Sequence, residues 1–153
     1  MFEGSVVSIH IATAATGPML SVNEVEAIPG KGLAGDRYFH QLGTFSKPQP
    51  DRELTFIEIE AIEALKAETG LELAEGDSRR NIVTTGVPLN HLVGREFTVG
   101  SVRVRGLGLC EPCAHLASLT QSGVLPGLVH RGGLRAQILN EGVIRAGDLV
   151  KQC

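Results

Sequence analysis

Apolar positions recur along this chain in short bursts and rarely in long helical periods, a pattern that predicts many short strands and a single real helix. Val6-Val7-Ser8-Ile9-His10-Ile11 is a β-branched run followed by small residues and Gly17-Pro18, which reads as a strand ending in a loop. A second apolar stretch from Val22 to Ile28 leads into a block where Pro29, Gly30, Gly32 and Gly35 exclude a helix interior. The polar segment 43–52, with Pro48 and Pro50, suits a surface loop within one domain. The helix is expected to begin near Thr55, because Thr55-x-x-Glu58 has capping-box spacing and Ile59, Ile62 and Leu65 share one side; Gly70 is placed to stop it.

Further on, Arg79 to Thr85 reads as a strand reached through polar residues and ended by Gly86-Val87-Pro88. Glu96–Val99 and Val102–Arg105 alternate in polarity around Gly100-Ser101, the signature of a hairpin with a two-residue turn and Gly at its first position. Pro112 is placed to open a short helix with Cys113 in its first turn. Leu134–Leu139, then Asn140 to Val150, reads as apolar strand, glycine turn and apolar strand. The expected architecture is mainly β with few helices (α+β), a barrel-like folded sheet forming one domain over residues 1–153.

Charge and composition remove several function classes. The 14 Lys+Arg against 17 Asp+Glu leave a net charge of −3, so no cationic footprint for nucleic acid is expected. Aromatics at 4% with no Trp also argue against base-stacking platforms. No stretch of about 18 apolar residues occurs, and Met1-Phe2-Glu3-Gly4 lacks the flank of a signal peptide; a cytoplasmic protein without membrane association is expected. Three cysteines without an export signal suggest reduced thiols.

Cys113 is the first candidate for chemistry, since the unpaired N–H groups of a helix start favour thiolate, which is both nucleophile and soft metal ligand. The plainer alternative is a cysteine that only fills space. Cys110-x-x-Cys113 has no second such pair, so structural zinc would need His91, His115 or His130; a thioredoxin-like pair would need a βαβ setting. One working thiol with Cys110 idle, resolving or protective is the third reading. Lys31, Arg37, Arg79, Arg80, Arg131 and Arg135 all flank glycine-rich or turn-like segments, where arginine and backbone N–H groups together suit an anion. Each alone reads as a solvated charge; only convergence on one pocket would make a site. Gly30-x-Gly32-x-x-Gly35 matches a dinucleotide fingerprint as text, but no helical period follows it.

Four blocks in order, Ile28 to Arg37, Arg79 to Val83, Leu109-Cys110-Glu111-Pro112-Cys113 and Gly142 to Asp148, resemble the MOSC domain, the C-terminal domain of molybdenum-cofactor sulfurases, in its short stand-alone bacterial form. The resemblance implies a barrel similar to the β-barrel domain of pyruvate kinase, and a pocket for the molybdenum cofactor (molybdopterin), a pterin dithiolene ending in a phosphate. It implies that Cys113 is the metal ligand, or carries persulfide sulfur. It places Arg79 and Asn81 as cofactor contacts, Lys31, Asp36 and Arg37 near the pocket, and Arg131 and Arg135 toward the phosphate. It further implies sulfur transfer or cofactor-dependent reduction of N-hydroxylated compounds. The alternative is a non-catalytic sulfur carrier. No lysine Schiff-base site is evident, so pyridoxal phosphate would belong to a partner cysteine desulfurase, and electrons to a redox partner.

Overall fold

The structure is a computed structural model that describes residues 2–13, 17–36, 53–70, 74, 78–110 and 131–153. Its frame is a closed ring of strands. β1 (Glu3–Ile11), β5 (Leu54–Glu58), β6 (Ile82–Thr85), β7 (Glu96–Val99), β8 (Val102–Leu109), β9 (Leu134–Ile138) and β11 (Leu149–Gln152) pair in the order β11-β7-β8-β9-β5-β6-β1, and β1 closes back onto β11. All neighbours are antiparallel except β5 and β6, whose parallel pairing requires a crossover, and α1 (Ile59–Thr69) supplies it. β2 (Leu20–Val22) adds to the outer half of β1. β3 (Glu24–Ile28), β4 (Gly32–Leu33) and β10 (Gly142–Arg145) form a separate small sheet in the order β10-β3-β4.

Alternation fills the ring. Val102 and Val104 are buried while Arg103 and Arg105 are exposed, and Leu134, Ala136 and Ile138 repeat the pattern on β9. Phe56 and Phe97 meet in the interior with ring centroids 5.5 Å apart and planes tilted by 58°. Val25, Ala27, Leu33 and Ile144 of the small sheet belong to the same core. A second, smaller core lies outside the ring, where Ala61, Ile62 and Leu65 of α1 cover Ile57 and Val83 of β5 and β6. β1 can serve three partners because its register against β6 shifts between Val6 and Ser8: residues 3–5 pair with β11, and residues 9–11 with β2.

The mainly β, barrel-like fold expected from the sequence is what the structure shows, with one α-helix among the described residues. The hairpin is also as expected, with Val99 opposite Val102 and Gly100 at φ 60°, the sign that a type II′ turn needs at its first position. The helix start is a correction. Thr55–Glu58 is strand, and α1 begins at Ile59 after Glu58, with no side-chain cap. Buried Phe56 and Ile57 suit opposite faces of a strand flanked by β6 and β9, and this packing outweighs the local capping pattern. The helix end is as expected, since Gly70 takes the left-handed conformation at φ 76° and its N–H donates to the Lys66 carbonyl. The stretch 22–28 divides at Asn23 between two sheets. The segment 43–52 and the short helix expected at Pro112 lie outside the described residues. No helix among the described residues is long and apolar enough to cross a membrane.

Candidate functional site

Of the residues singled out from the sequence, Arg79, Arg80 and Asn81 stand where β6 begins, and the other described ones lie on other elements. Asn81, only 1% exposed, is bonded on every side. Its Oδ1 accepts from the Thr55 N–H at 3.1 Å and from the Thr55 hydroxyl at 3.1 Å, while its own N–H donates to Thr55 Oγ1 at 3.0 Å. Its Nδ2 donates to the His10 carbonyl at 3.0 Å, and its carbonyl accepts the His10 N–H at 2.7 Å. One asparagine thus ties β1, β5 and β6 together, because its amide offers donor and acceptor at once where strand ladders stop. Asp36 does similar work two residues farther along β1: fully buried, it accepts the Ala12 N–H on Oδ1 at 3.0 Å and so fastens the glycine-rich block to the end of β1.

The two arginines before Asn81 diverge. Arg79 has φ 61°, the left-handed region, and among the described residues no other non-glycine residue shares it. Its Nη1 donates to the Gly17 carbonyl at 2.8 Å, toward the β1–β2 connection. Arg80 points elsewhere: its Nε donates to the Gly132 carbonyl at 2.7 Å and its Nη2 to the Cys110 carbonyl at 3.1 Å. The ends of β8 and β9 are joined there a second time by the Cys110 N–H donating to the Gly133 carbonyl at 2.7 Å. Gly133, at φ 118°, is required: a Cβ there would overlap the Phe56 carbonyl of β5. Arg135, half-buried on β9 opposite Thr55, lies over Gly108, whose missing side chain leaves room for the guanidinium; a Cβ at Gly108 would stand 3.0 Å from its Nη2.

Arg131 and Lys31 stand apart from this cluster. Arg131 pairs with Glu68 near the end of α1 through two hydrogen bonds of 3.1 and 2.5 Å. That hydrogen bond, and then the charge of the guanidinium, hold the Glu68 carboxyl below its ordinary value, and Arg131 is raised in turn. Lys31 is exposed in the turn between β3 and β4. Beside that turn, buried Glu53 accepts the Gly30 N–H at 3.1 Å and the Ile138 N–H at 3.2 Å on one oxygen, bridging the small sheet's turn to β9. Burial pushes the Glu53 carboxyl up, and the two N–H groups pull it part of the way back.

Cys113, Arg37, His115 and His130 lie outside the described residues. Cys110 is buried with a reduced thiol. Among the described residues no group of three or more His, Cys, Asp or Glu could hold a metal ion. A cavity of about 580 Å³ lined by Glu96, Thr98, Ser101, Arg103, Leu139 and Asn140 lies at the β7–β8 turn and shares no residue with the cluster. Sequence reasoning saw Arg80 as one of several cations but not as the bridge between two strand ends, and it missed Glu53. The only sequence signals were an arginine doublet before a strand and a lone carboxylate before an apolar run.

A guanidinium suits a phosphate or another oxyanion, but Arg79 and Arg80, though adjacent in sequence, bond different carbonyls, that of Gly17 for the first and those of Cys110 and Gly132 for the second.

Comparison with known proteins gives a match to the MOSC domain family over residues 34–151. The fold is similar to the crystal structure of YuaD from Bacillus subtilis, at TM-score 0.82 and 15% identity over 98% of this chain and 97% of that one. It is similar too to YiiM from Geobacillus stearothermophilus, at TM-score 0.76 and 17% identity over 98% of this chain and 75% of the other. For YiiM from Escherichia coli the values are 0.68 and 18%, over 97% and 69%. A search of curated proteins finds no match.

Proposed function

The chain belongs to the MOSC domain family, and from that premise we propose that it handles the molybdenum cofactor through Cys113, with arginines at the start of β6 holding the cofactor's phosphate. The observation that carries this reading is the placement of Arg79 and Arg80. Both leave the same point of the barrel, and Arg80 reaches the strand ends on either side of the segment 111–130, which contains Cys113.

In this reading the roles divide by what each group touches. Arg79, Arg80 and Arg135 neutralise the phosphate; Asn81 acts from beneath by fixing the start of β6, and Asp36 by fastening the glycine-rich block to the end of β1. Lys31 and Arg37 belong to the glycine-rich block that Asp36 fastens. Arg131 joins only by leaving Glu68. When bound, the cofactor supplies metal-centred redox chemistry, which suits reduction of N-hydroxylated compounds with electrons from a redox partner. Cys113 contributes a thiolate, the form that both ligates a soft metal and accepts sulfur.

The second role of that thiolate is as a sulfur carrier. Cys113 attacks the outer sulfur of a persulfide on a pyridoxal-phosphate-dependent cysteine desulfurase; the donor S–S bond breaks, a new one forms on Cys113, and the donor leaves as its thiolate.

Anaerobic expression in a cofactor-competent host followed by metal analysis tests the proposal. Molybdenum is expected in the wild-type protein and lost in Cys113→Ala; equal retention in both would overturn ligation. Incubation with a desulfurase and cysteine gives a reductant-labile adduct of about 32 Da at Cys113 if the thiol carries sulfur.

A further inference from the structure

We infer that β11 is the seam at which the ring opens: this strand leaves as a unit while the other described elements stay in place. The inference rests on strand pairing and burial and is independent of the reading of Cys113. β11 buries one apolar side chain, Val150, whereas each of the other six ring strands buries two or more. Leu149 is 47% exposed, and Lys151 is exposed as well. Three residue pairs join β11 to β1 and three join it to β7. The side-chain ties across these two seams are weak: Lys151 stands 3.5 Å from Glu3 in solvent, and the Thr98 hydroxyl donates to the Lys151 carbonyl at 3.4 Å. Elsewhere in the ring buried groups make the ties, Asn81 among β1, β5 and β6, and Glu53 to Ile138 of β9.

The chain before β11 has its own anchorage. β10 lies in the small sheet, where four residue pairs join it to β3 and Ile144 is buried, and the Ala146 N–H donates to the Asn23 carbonyl. Gly147 follows at φ 91°, with open space where a Cβ would stand, so the backbone can swing there. Past this hinge the bonds that must break are few. Asp148 closes the turn with Arg145 through its N–H at 3.0 Å and its Oδ2 at 2.8 Å. The Gly147 N–H donates to the Val6 carbonyl at 2.8 Å, the Val6 N–H to the Asp148 carbonyl at 2.9 Å, and the Gly100 N–H to the Leu149 carbonyl at 2.8 Å. With β11 gone, β7 keeps β8, and β1 keeps β6 and β2. The opening withdraws one apolar side chain from the core, so it costs far less than unfolding the ring.

Amide hydrogen exchange followed by NMR on the full-length protein tests this. Val6 and Gly100 report on β11, since their N–H groups donate to the Asp148 and Leu149 carbonyls. His10 and Ile138 report on the rest of the ring, since theirs donate to the Asn81 carbonyl and the Glu53 carboxyl. After correction for intrinsic rates, the first pair is expected to exchange about a hundredfold faster than the second. Urea at about 1 M should speed the second pair about tenfold and leave the first nearly unchanged, because the slope follows the surface exposed. Leu65→Ala, which loosens α1 outside the ring, should likewise speed only His10 and Ile138; if that variant does not fold, the urea series carries the comparison. Equal protection at all four amides with one shared urea dependence would show that the ring opens only as a whole, and would overturn the seam.

Discussion

Asn81 shows how a residue matching a family's cofactor-contact pattern can act from inside the fold. Its side chain is spent on backbone and hydroxyl groups of β1 and β5, and almost none of it reaches the surface. Truncating it strips partners from the Thr55 N–H and the His10 carbonyl, and each buried polar group left unpaired costs roughly 1–3 kcal/mol. Asn81→Ala is therefore expected to lose about 2–4 kcal/mol in chemical denaturation, with or without cofactor. A variant of full stability that fails only to retain molybdenum would instead make Asn81 a direct contact. The residue type and its place after two arginines were legible in the sequence; its partners were not, because Thr55 and His10 lie 26 and 71 positions away.

At the scale of elements, what could be read from the chain followed the range of the cause. The β7–β8 hairpin and the Gly70 stop are decided within a few residues, by turn conformation and by a glycine at positive φ, and both stand where the pattern put them. Thr55–Glu58 misled because its local capping signal competes with two flanking strands that no local window contains. Arg131 is the matching case in the site: its glycine-flanked setting suggested an anion, and the structure gives it Glu68, 63 residues back on α1. This pair ties the helix to the chain that leads into β9. It is exposed, so its effect is small and screened by salt. Because Glu68 is held below its ordinary value, the contribution is present above that value and fades as pH falls through the depressed one. Glu68→Gln should lower the melting temperature at neutral pH and low salt by at most about 3 °C, and the gap should close in 1 M salt, roughly where the Debye length falls to 3 Å, and at acid pH. A gap that persists under both conditions would show that the pair acts by packing and not by charge.

For the whole molecule, the question is what makes the ring and the small sheet one body. Their apolar residues share a core, and Glu53 adds a polar pin, its one oxygen accepting from Gly30 in the small sheet's turn and from Ile138 on β9. The folded carboxyl is raised above its ordinary value of 4.5, chiefly by burial. The protonated form is thus favoured by folding: Glu53's stabilising contribution is complete below 4.5 and is lost as pH rises through the raised value. Glu53→Gln keeps an oxygen to accept both N–H groups and removes the ionisation. Relative to this variant, the wild-type melting temperature is expected to decline as pH climbs from below 4.5 toward neutrality, and parallel curves would refute the assignment. Glu58 shifts in the same direction but is present in both proteins, so it cancels in the comparison.

β11 lies between β7 and β1, so the ring is joined by the last strand in chain order. During synthesis every other stave is made before the hoop can be fastened, and until then the facing rims of β1 and β7 offer bare amides to any extended peptide nearby. Arg80, Asn81 and both flanks of 111–130 have all been synthesised by that time. Those bare edges disappear only when residues 149–152 pair with both rims.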